Sequence, residues 1–380
     1  MKRHLNVGLM GHKFMGKAHS HALRDVAMFF DLDAVPVMKV ICGVEEDLEE
    51  VARRYGWHMF TPSWEEVVNN PEIDILDIAT PGNTHWQIAL AAAQQGKHIL
   101  CEKPLALTPR EAKEMYDAAE EAHVKHVVNF NYRRLPAVAL AKKLIDDGEL
   151  GAIYHFRGTY QQDWPLDPNF PFVWRMDKTI AGAGSMADKG SHIVDLARYL
   201  VDEFEEVACS SAIFVKERSL PDQIHSRRQV TTDDAAVFIA RFQNGTLGVF
   251  ETSRMSAGHK NALAFEVNGS KGSVVFDLER LNELKLYTTS YPKDTSGFRT
   301  IMVTEPCHQY VRSWWPPGHV LGWEHTFVHQ YYEFLQAIAR DSASSPSFYD
   351  GLRNQEVLAA TEAAAVEKCW VRVGQSRGDA

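Results

Sequence analysis

The sequence has no apolar run long enough to cross a membrane and no stripe of clustered lysines and arginines. Its formal net charge of −10 at pH 7 also opposes a partner with a phosphate backbone. Internal repeats and long low-complexity linkers are absent from the sequence as well. These absences predict a globular protein that has no nucleic acid and no membrane as a partner.

Cysteine is scarce, and its spacing excludes two common uses. The five cysteines are scattered, odd in number and form no C-x-x-C pair of the kind that binds zinc or exchanges disulfides. This pattern indicates reduced thiols, most of them buried packing residues. The basic start Met1-Lys2-Arg3 precedes an apolar strand rather than a cleavable signal, so we expect a cytoplasmic protein.

A glycine turn joins the first apolar strand, residues 5–10, to a helix that reaches about residue 30. Gly11 and Gly16 match the first and third glycines of the dinucleotide fingerprint G-x-G-x-x-G, but Lys13 replaces the middle one. The turn alone is compatible with any α/β protein. A second strand at residues 37–44 follows at the right distance for a βαβ unit, which favours a dinucleotide site.

Strands and helices alternate through the first third of the chain. Ser63 and Thr108 each start a capping box, and Pro109 occupies a first helical position. Apolar strands at residues 73–79, 98–101 and 126–130 complete a parallel sheet with helices on both faces. We therefore expect a doubly wound Rossmann domain over residues 1–130.

After residue 151 the pattern changes to longer strands with hairpin turns. Asn244-Gly245, between runs at residues 235–243 and 246–253, is a strong hairpin signal. Residues 131–380 are therefore expected to form an α+β domain with a large, mostly antiparallel open sheet covered by helices on one face. Helices are expected at residues 326–340 and 351–368, and the second is expected to pack back on the first domain.

The carboxyl edge of the parallel sheet is the expected cofactor site, because ligands of open α/β sheets bind there. Glu45 follows the second strand and is the expected ribose ligand, while no arginine is present to meet a 2′-phosphate. This favours NAD, but Lys13 offers a positive charge, so NADP stays open. The candidate cofactor-binding residues are Gly11, Lys13, Phe14, Met15, Glu45, Thr80, Pro81, Asn83, His85, Glu102, Lys103 and Arg175.

Two clusters carry acid-base side chains. Lys103, in Glu102-Lys103-Pro104, emerges at the cofactor edge as a candidate general acid or base; the alternative is a surface lysine that binds a phosphate. If a helix begins near Ser185, Asp188 and His192 lie one turn apart on one face, where the carboxylate can orient the imidazole. The alternative is a buried histidine that bonds a helix neighbour.

The glycine turn, the Glu102-Lys103-Pro104 step and the Asp188-x-x-x-His192 spacing resemble the Gfo/Idh/MocA oxidoreductases over nearly the whole chain. Residues 160–164, 174–175 and 314–319 are similar to the branch that contains levoglucosan dehydrogenase, whereas Lys13 departs from the common family pattern.

The resemblance implies hydride transfer between nicotinamide and a secondary alcohol of a sugar, anhydrosugar, glycoside or cyclitol. It also implies that His192 is the general base, that Asp188 holds the His192 ring and that Lys103 polarises the oxygen of the reacting hydroxyl. It also implies a homodimer or homotetramer joined through the large sheet.

The tryptophans suggest a substrate wall, because aromatic faces pack against the C–H faces of sugars. The expected substrate-contacting residues are Lys103, Tyr132, Gln162, Trp174, Asp188 and His192. The segment from Trp314 to Trp323 is equally compatible with the substrate wall and with a subunit interface.

Further interpretations of the sequence concern metal binding, two histidines after the glycine turn and alternative functions. His325 and His329 lack a third ligand and the H-E-x-x-H order, so no metal is expected. His19 and His21 are expected to pack or cap locally. Two alternative functions are a glycosidase that oxidises its substrate transiently with NAD, and a non-catalytic nucleotide sensor. The presence of both Lys103 and His192 disfavours the sensor.

Overall fold

A computed structural model describes residues 2–221 and 223–374 of the protein. The chain forms two compact units. The first comprises Met1–Arg134 and Gly322–Leu352, and the second comprises Leu135–Leu321 and Arg353–Ala380. Among the residues that the structure describes, every helix is too short or too polar to span a bilayer.

The first unit is built around a parallel sheet. Its strands are β1 (Arg3–Met10), β2 (Ala34–Cys42), β3 (Met59–Thr61), β4 (Ile75–Ile78), β5 (His98–Cys101) and β6 (His126–Val128). The connecting helices are α1 (Phe14–Phe29), α2 (Leu48–Tyr55), α3 (Trp64–Asn69), α4 (His85–Gln94) and α5 (Pro109–Glu121). In the described residues these strands are ordered β3-β2-β1-β4-β5-β6 and all pair in parallel, which confirms the predicted doubly wound sheet.

Local signals start two of these helices as predicted. The Ser63 side chain accepts a hydrogen bond from the Glu66 N–H at the start of α3, at 3.2 Å. The Thr108 side chain accepts one from the Glu111 N–H at the start of α5, also at 3.2 Å. Such caps satisfy helix N–H groups that have no partner within the helix.

The second unit carries the larger sheet. Its elements are α6 (Pro136–Asp146), β7 (Ile153–Gln161), α7 (Lys178–Ala181), α8 (Ser191–Leu200), β8 (Phe204–Ala212), β9 (Glu217–Leu220), β10 (Gln223–Gln229), β11 (Ala235–Phe242), β12 (Leu247–Ser253), β13 (Ala262–Gly269), β14 (Gly272–Asp277), β15 (Glu283–Thr288), β16 (Arg299–Met302) and, near the end of the chain, β17 (Val371–Arg372). In the described residues the order is β16-β15-β14-β13-β7-β12-β11-β8-β17, with β9 and β10 forming a separate ribbon.

The large sheet is open and mostly antiparallel, as predicted. The β12–β7 pair is parallel, while the other neighbours in this sheet pair in antiparallel register. The Asn244-Gly245 turn joins β11 to β12, and Gly245 has a φ of +85° that favours glycine. Side chains on β11 alternate between buried and exposed positions, as expected when one face is covered.

The last two helices are α9 (His325–Ala339) and α10 (Phe348–Glu367). The segment that contains α9 belongs to the first unit, although the sequence analysis placed it in the second domain. The reason is packing: Tyr332 of α9 lies against Phe30 at the end of α1, with ring centroids 4.5 Å apart. Phe348 and Leu352, in the first turns of α10, also join the core of the first unit.

Candidate active site

The glycine turn has the geometry that a phosphate site requires. Gly11 has a φ of +97°, and a Cβ there would lie 2.7 Å from the Ala79 carbonyl oxygen. A Cβ on Gly16 would lie 2.1 Å from the Gly11 carbonyl oxygen, so neither position tolerates a side chain. Helix α1 begins at Phe14, directly after Lys13, and its first N–H groups are available to an anion. The turn therefore fits a dinucleotide pyrophosphate despite its missing middle glycine.

An acidic segment after β2 lies beside this turn. His12 is buried, with its Nδ1 3.4 Å from Glu45 Oε2 and its Nε2 2.9 Å from Asp47 Oδ1. Lys13 Nζ lies 2.9 and 3.1 Å from the two Asp47 oxygens. The Lys13 ammonium and the His12 ring lower the pKa of Asp47 to about 2. The Lys13 ammonium, which kept NADP as an alternative cofactor, is thus paired with a carboxylate. Asp47 was not among the residues predicted from the sequence.

The loop after β4 and the first residue of α4 contain four of the predicted cofactor residues. Pro81 and Asn83 are exposed, and Thr80 Oγ1 lies 2.7 Å from Thr84 Oγ1. His85 is buried, with Nε2 2.9 Å from the Thr80 oxygen and Nδ1 3.1 Å from the Pro104 oxygen. Burial lowers the pKa of His85, against the opposite effect of these carbonyl oxygens, and the ring links this loop to the segment that contains Pro104.

The Glu102-Lys103-Pro104 step follows β5, and its peptide bond between Lys103 and Pro104 is cis. Glu102 is 5% exposed and accepts a hydrogen bond from the Lys103 N–H, 3.1 Å from its Oε2. Lys103 itself is half-buried. Both residues were predicted to contact the cofactor, and the structure distinguishes them. The Glu102 carboxyl is enclosed by protein groups, whereas Lys103 remains partly accessible.

In the second unit, the predicted Asp188 and His192 pair spans a change of helix type. Asp188 lies in a π-helical turn, Met186–Gly190, and His192 lies in the first turn of α8. The single regular helix expected from Ser185 is therefore replaced by a π turn that leads into α8. Insertions of this kind are frequent at functional sites.

A lysine that the sequence analysis missed lies in the same turn. Lys189 is 1% exposed, and its Nζ lies 3.1 Å from Asp188 Oδ2. The Asp188 side chain is 34% exposed, so its carboxylate has both a buried cation and access to solvent. Burial of a lysine requires a paired or hydrogen-bonded ammonium, which links Lys189 to the orientation of Asp188.

A polar wall extends from His192 along β7. The His192 and Tyr160 rings lie 5.8 Å apart between centroids. Tyr160 Oη and Gln162 Nε2 both donate to Asn261 Oδ1, each at 2.7 Å. Asn261 therefore orients the predicted substrate residue Gln162, and no signal in the sequence pointed to it.

The remaining predicted site residues lie on loops and turns. Arg175 stacks over the Trp174 ring, with its Cζ 4.3 Å from the centroid, and its carbonyl oxygen accepts from the Thr232 hydroxyl at 3.0 Å. Trp174 is 36% exposed, whereas Tyr132 of the first unit is 3% exposed. The burial of Tyr132 leaves little of its surface for a substrate.

Two side chains in or beside α9, Trp323 and His329, have partners within the first unit. Trp323 stacks on Phe14 at the start of α1, with ring centroids 5.5 Å apart and planes inclined by 13°. His329 is buried and donates from Nδ1 to the Arg134 oxygen at 2.9 Å, while His325 Nδ1 accepts from the Gly322 N–H at 3.0 Å. Across the residues with described positions, no group of three potential ligands has metal-site geometry.

Two family models match the chain. The model described as "Oxidoreductase family, NAD-binding Rossmann fold" matches residues 5–130, and the "GFO/IDH/MocA C-terminal domain" model matches residues 138–275. Together with the glycine turn and the parallel sheet, the first match defines an NAD-binding oxidoreductase. The chain belongs to the Gfo/Idh/MocA family.

Relatives of known structure and name are similar over nearly the full length. Levoglucosan dehydrogenase of Pseudarthrobacter phenanthrenivorans is 44% identical over 98% of this chain and 99% of its own length. A solved structure of levoglucosan dehydrogenase with NADH and levoglucosan has a TM-score of 0.95 at 44% identity, covering 98% of this chain and 100% of that one. An oxidoreductase domain protein from Kribbella flavida has a TM-score of 0.95 at 46% identity, covering 99% and 100%.

These matches confirm the predicted family, the predicted branch and NAD as the cofactor. They also confirm the prediction of an enzyme that carries out oxidoreduction. The roles of the individual site residues stay predictions.

Proposed function

We propose that this protein oxidises a secondary alcohol of a neutral anhydrosugar, of the levoglucosan kind, with NAD. The observation that carries the proposal is the 44% identity to levoglucosan dehydrogenase over 98% of this chain. The polar wall of Tyr160, Gln162 and Asn261 supports it, because its amide and hydroxyl groups match the hydroxyls of an uncharged sugar.

The proposed chemistry assigns one role to each of three side chains. Lys103 donates a hydrogen bond to the reacting hydroxyl oxygen, and His192 removes its proton as the general base. Asp188, held by the buried Lys189, orients the His192 ring. NAD, when bound, accepts the hydride from the carbon of that alcohol.

The cofactor residues are proposed from their position at the carboxyl edge of the parallel sheet. The N-terminus of α1 would hold the pyrophosphate, through Gly11, Lys13, Phe14 and Met15. Glu45 would accept the ribose hydroxyls, with Asp47 and His12 fixing the acidic segment. Thr80, Pro81 and Asn83 would border the nicotinamide half, and the enclosed side chains of His85 and Glu102 would shape that border without touching the cofactor.

A substrate panel tests the proposal. Purified protein with NAD should reduce the cofactor with levoglucosan, more slowly with myo-inositol, and not with a phosphorylated sugar, whose charge the uncharged polar wall does not match. Replacing NAD by NADP should lower turnover, because Glu45 and Asp47 repel a 2′-phosphate. An absence of reduced cofactor across neutral sugars and cyclitols would reject the proposal, and cleavage of a chromogenic glycoside without net reduction would replace it with the glycosidase alternative.

We further propose that copies of this chain associate through the outward face of the large sheet. Four exposed apolar side chains lie on the neighbouring strands β11 and β12: Val237, Ile239, Leu247 and Val249. Contiguous apolar exposure of this kind is typical of an interaction site, and a dimer or tetramer would cover it. A cytoplasmic location is proposed with it, supported by five cysteines that are all free.

A further inference from the structure

A cluster of buried polar side chains lies within the first unit, and apart from Glu102 its members have no role in the chemistry described so far. We call it the His19 cluster, and it consists of His19 on α1, Asp77 on β4, Glu102 after β5, Asn129 after β6 and Tyr331 on α9. His19 and Asp77 are 0% exposed, and the other three are 5% exposed or less. The sequence predicts local packing or capping for His19, and the structure gives it charged partners instead.

The His19 ring bridges two carboxylates. Its Nδ1 lies 2.9 Å from both oxygens of Asp77, and its Nε2 lies 2.9 Å from Glu102 Oε1. The Asn129 amide donates to the same Glu102 oxygen at 2.6 Å. The Tyr331 hydroxyl donates to Asp77. Two helices, the strand β4 and the segments after β5 and β6 are thereby joined by hydrogen bonds to ionised groups, which are stronger than those between neutral groups.

The charges in the cluster are fixed by their surroundings. Burial opposes the charged form of His19, but the Asp77 and Glu102 carboxylates outweigh it and raise the pKa of His19 to about 10. Burial also opposes ionisation of Glu102, yet His19, Lys103 and Asn129 lower its pKa. Burial beside Asp77 raises the pKa of Tyr331, which stays a neutral donor. His19 is therefore an imidazolium and Glu102 a carboxylate at neutral pH.

The cluster ends at the proposed catalytic lysine. Glu102 Oε1 is held by His19 and Asn129, and its Oε2 accepts the main-chain N–H of Lys103 at 3.1 Å. His19 lies on the same helix whose first residue, Phe14, follows the glycine turn. The bridge therefore connects the main chain of Lys103 to the helix that presents the phosphate site.

We propose that His19, by bridging Asp77 and Glu102, is a positioning residue that sets the main-chain position of Lys103 relative to α1. The inference deepens the proposed function and rests on it, since Lys103 is assigned a catalytic role only there. A buried ionic cluster is a poor way to gain stability alone, because well-packed apolar side chains of similar size are often as stabilising. Misplacement of a catalytic group by about 1 Å costs about a hundredfold in rate, so fixing Lys103 gives the cluster a functional reason.

The first test measures amide hydrogen exchange at Lys103 and needs no substrate. His19→Gln should speed exchange of the Lys103 N–H by about tenfold or more, because Glu102 loses the partner that orients it. Glu102→Gln cuts the same bridge from the other side and should act alike, so the test survives if one variant does not fold.

Lys97→Met is the matched control for this test. Lys97 is 4% exposed at the opposite end of β5, where its Nζ donates to the Asn70 and Ile73 oxygens. Its loss should lower stability without speeding exchange at Lys103. Unchanged exchange in His19→Gln and Glu102→Gln, or equal acceleration in Lys97→Met, would overturn the inference.

The second test is a double-mutant cycle in kcat with the sugar that the panel identifies. His19→Gln should lower kcat by about 10- to 100-fold while the dissociation constant for NADH changes less than about twofold. In a Lys103→Ala background, His19→Gln should cause no further loss, because it acts through Lys103. Losses that multiply would overturn the inference. A wild-type protein without turnover would reject only the proposed function, and the exchange result would still decide the role of His19.

Discussion

The two sheets of this protein differ in how many faces are covered, and their strands show it. All four residues of β4 are buried, whereas β11 alternates buried and exposed side chains along its length. Helices on both faces of the parallel sheet exclude water from both, while the open sheet keeps one face outward. The covered sheet can therefore present functional groups to a ligand only at one edge. The open sheet has a whole exposed face that can contact another protein surface.

The two sheets also differ in where their buried charges lie. In the covered sheet, Asp77 lies inside β4, and the ring of His19 neutralises it. In the open sheet, the buried Arg254 and Asp234 pair lies at the strand ends, where β12 finishes and β11 begins. Each of these two buried carboxylates therefore has a partner of opposite charge within hydrogen-bond distance, as the cost of desolvation requires.

The largest expected effect concerns Lys103 and His192, the two side chains with proposed roles in proton transfer and polarisation. Lys103→Ala and His192→Ala should each lower kcat by about 10²- to 10⁴-fold, the range for loss of an acid-base group. Steady-state kinetics and NADH titration measure the two effects separately, and NADH affinity should change little. The exposed Lys285→Ala and His4→Ala are matched controls that should retain wild-type kcat. Full activity in either catalytic variant would remove that residue from the proposed site.

Next in size is the buried ion pair of the open sheet. Arg254 Nε donates to Asp234 Oδ1 at 2.8 Å, and both side chains are 2% exposed or less. Arg254→Met should lower the free energy of unfolding by about 3–5 kcal/mol, because it leaves an uncompensated buried carboxylate. Denaturant titration checks this, with Lys260→Met as the control, since the Lys260 side chain is 77% exposed in its pair with Asp163. Equal losses in both variants would contradict the argument from burial.

Adding a side chain to the glycine turn tests whether this edge of the covered sheet holds the cofactor phosphates. Gly16→Ala places a Cβ 2.1 Å from the Gly11 oxygen, so the turn must shift. Overpacking costs about 1–3 kcal/mol, which predicts NADH binding weaker by about 5- to 150-fold. Gly297→Ala is the control, because a Cβ there meets no atom within 4 Å. Unchanged NADH affinity in Gly16→Ala would show that the turn does not hold the phosphates.

The smallest expected change in the folded chain is on the outward face of the open sheet. Ile239 and Val249 lie directly opposite each other on β11 and β12 and are 45% and 39% exposed. Replacing both by lysine should leave the circular dichroism spectrum unchanged but lower the mass in sedimentation to that of a smaller assembly. Val366→Lys, at a residue that is 76% exposed on α10, is the control and should keep the wild-type mass. A double variant that sediments like the wild type would exclude this face as the interface.

The sequence predicted the features that depend on neighbouring residues. The Ser63 and Thr108 caps and the Asn244-Gly245 hairpin each follow from a few consecutive side chains, and all three are present. The glycine turn also follows, because the lack of room at Gly11 and Gly16 is a property of the local backbone.

Features that depend on distant residues could not be predicted in the same way. His19 bonds partners 58 and 83 residues along the chain, and no periodicity in the sequence couples these positions. Asn261 likewise bonds Tyr160 across 101 residues. The assignment of α9 to the first unit has the same origin, because its packing on α1 is a tertiary contact.

A crystal structure with NADH and the preferred sugar tests the central claim most directly. We expect Lys103 Nζ and His192 Nε2 each to lie within about 3.2 Å of one hydroxyl oxygen, on the carbon that faces the nicotinamide. A sugar whose reacting hydroxyl is within reach of only one of these side chains, or of neither, would contradict the account.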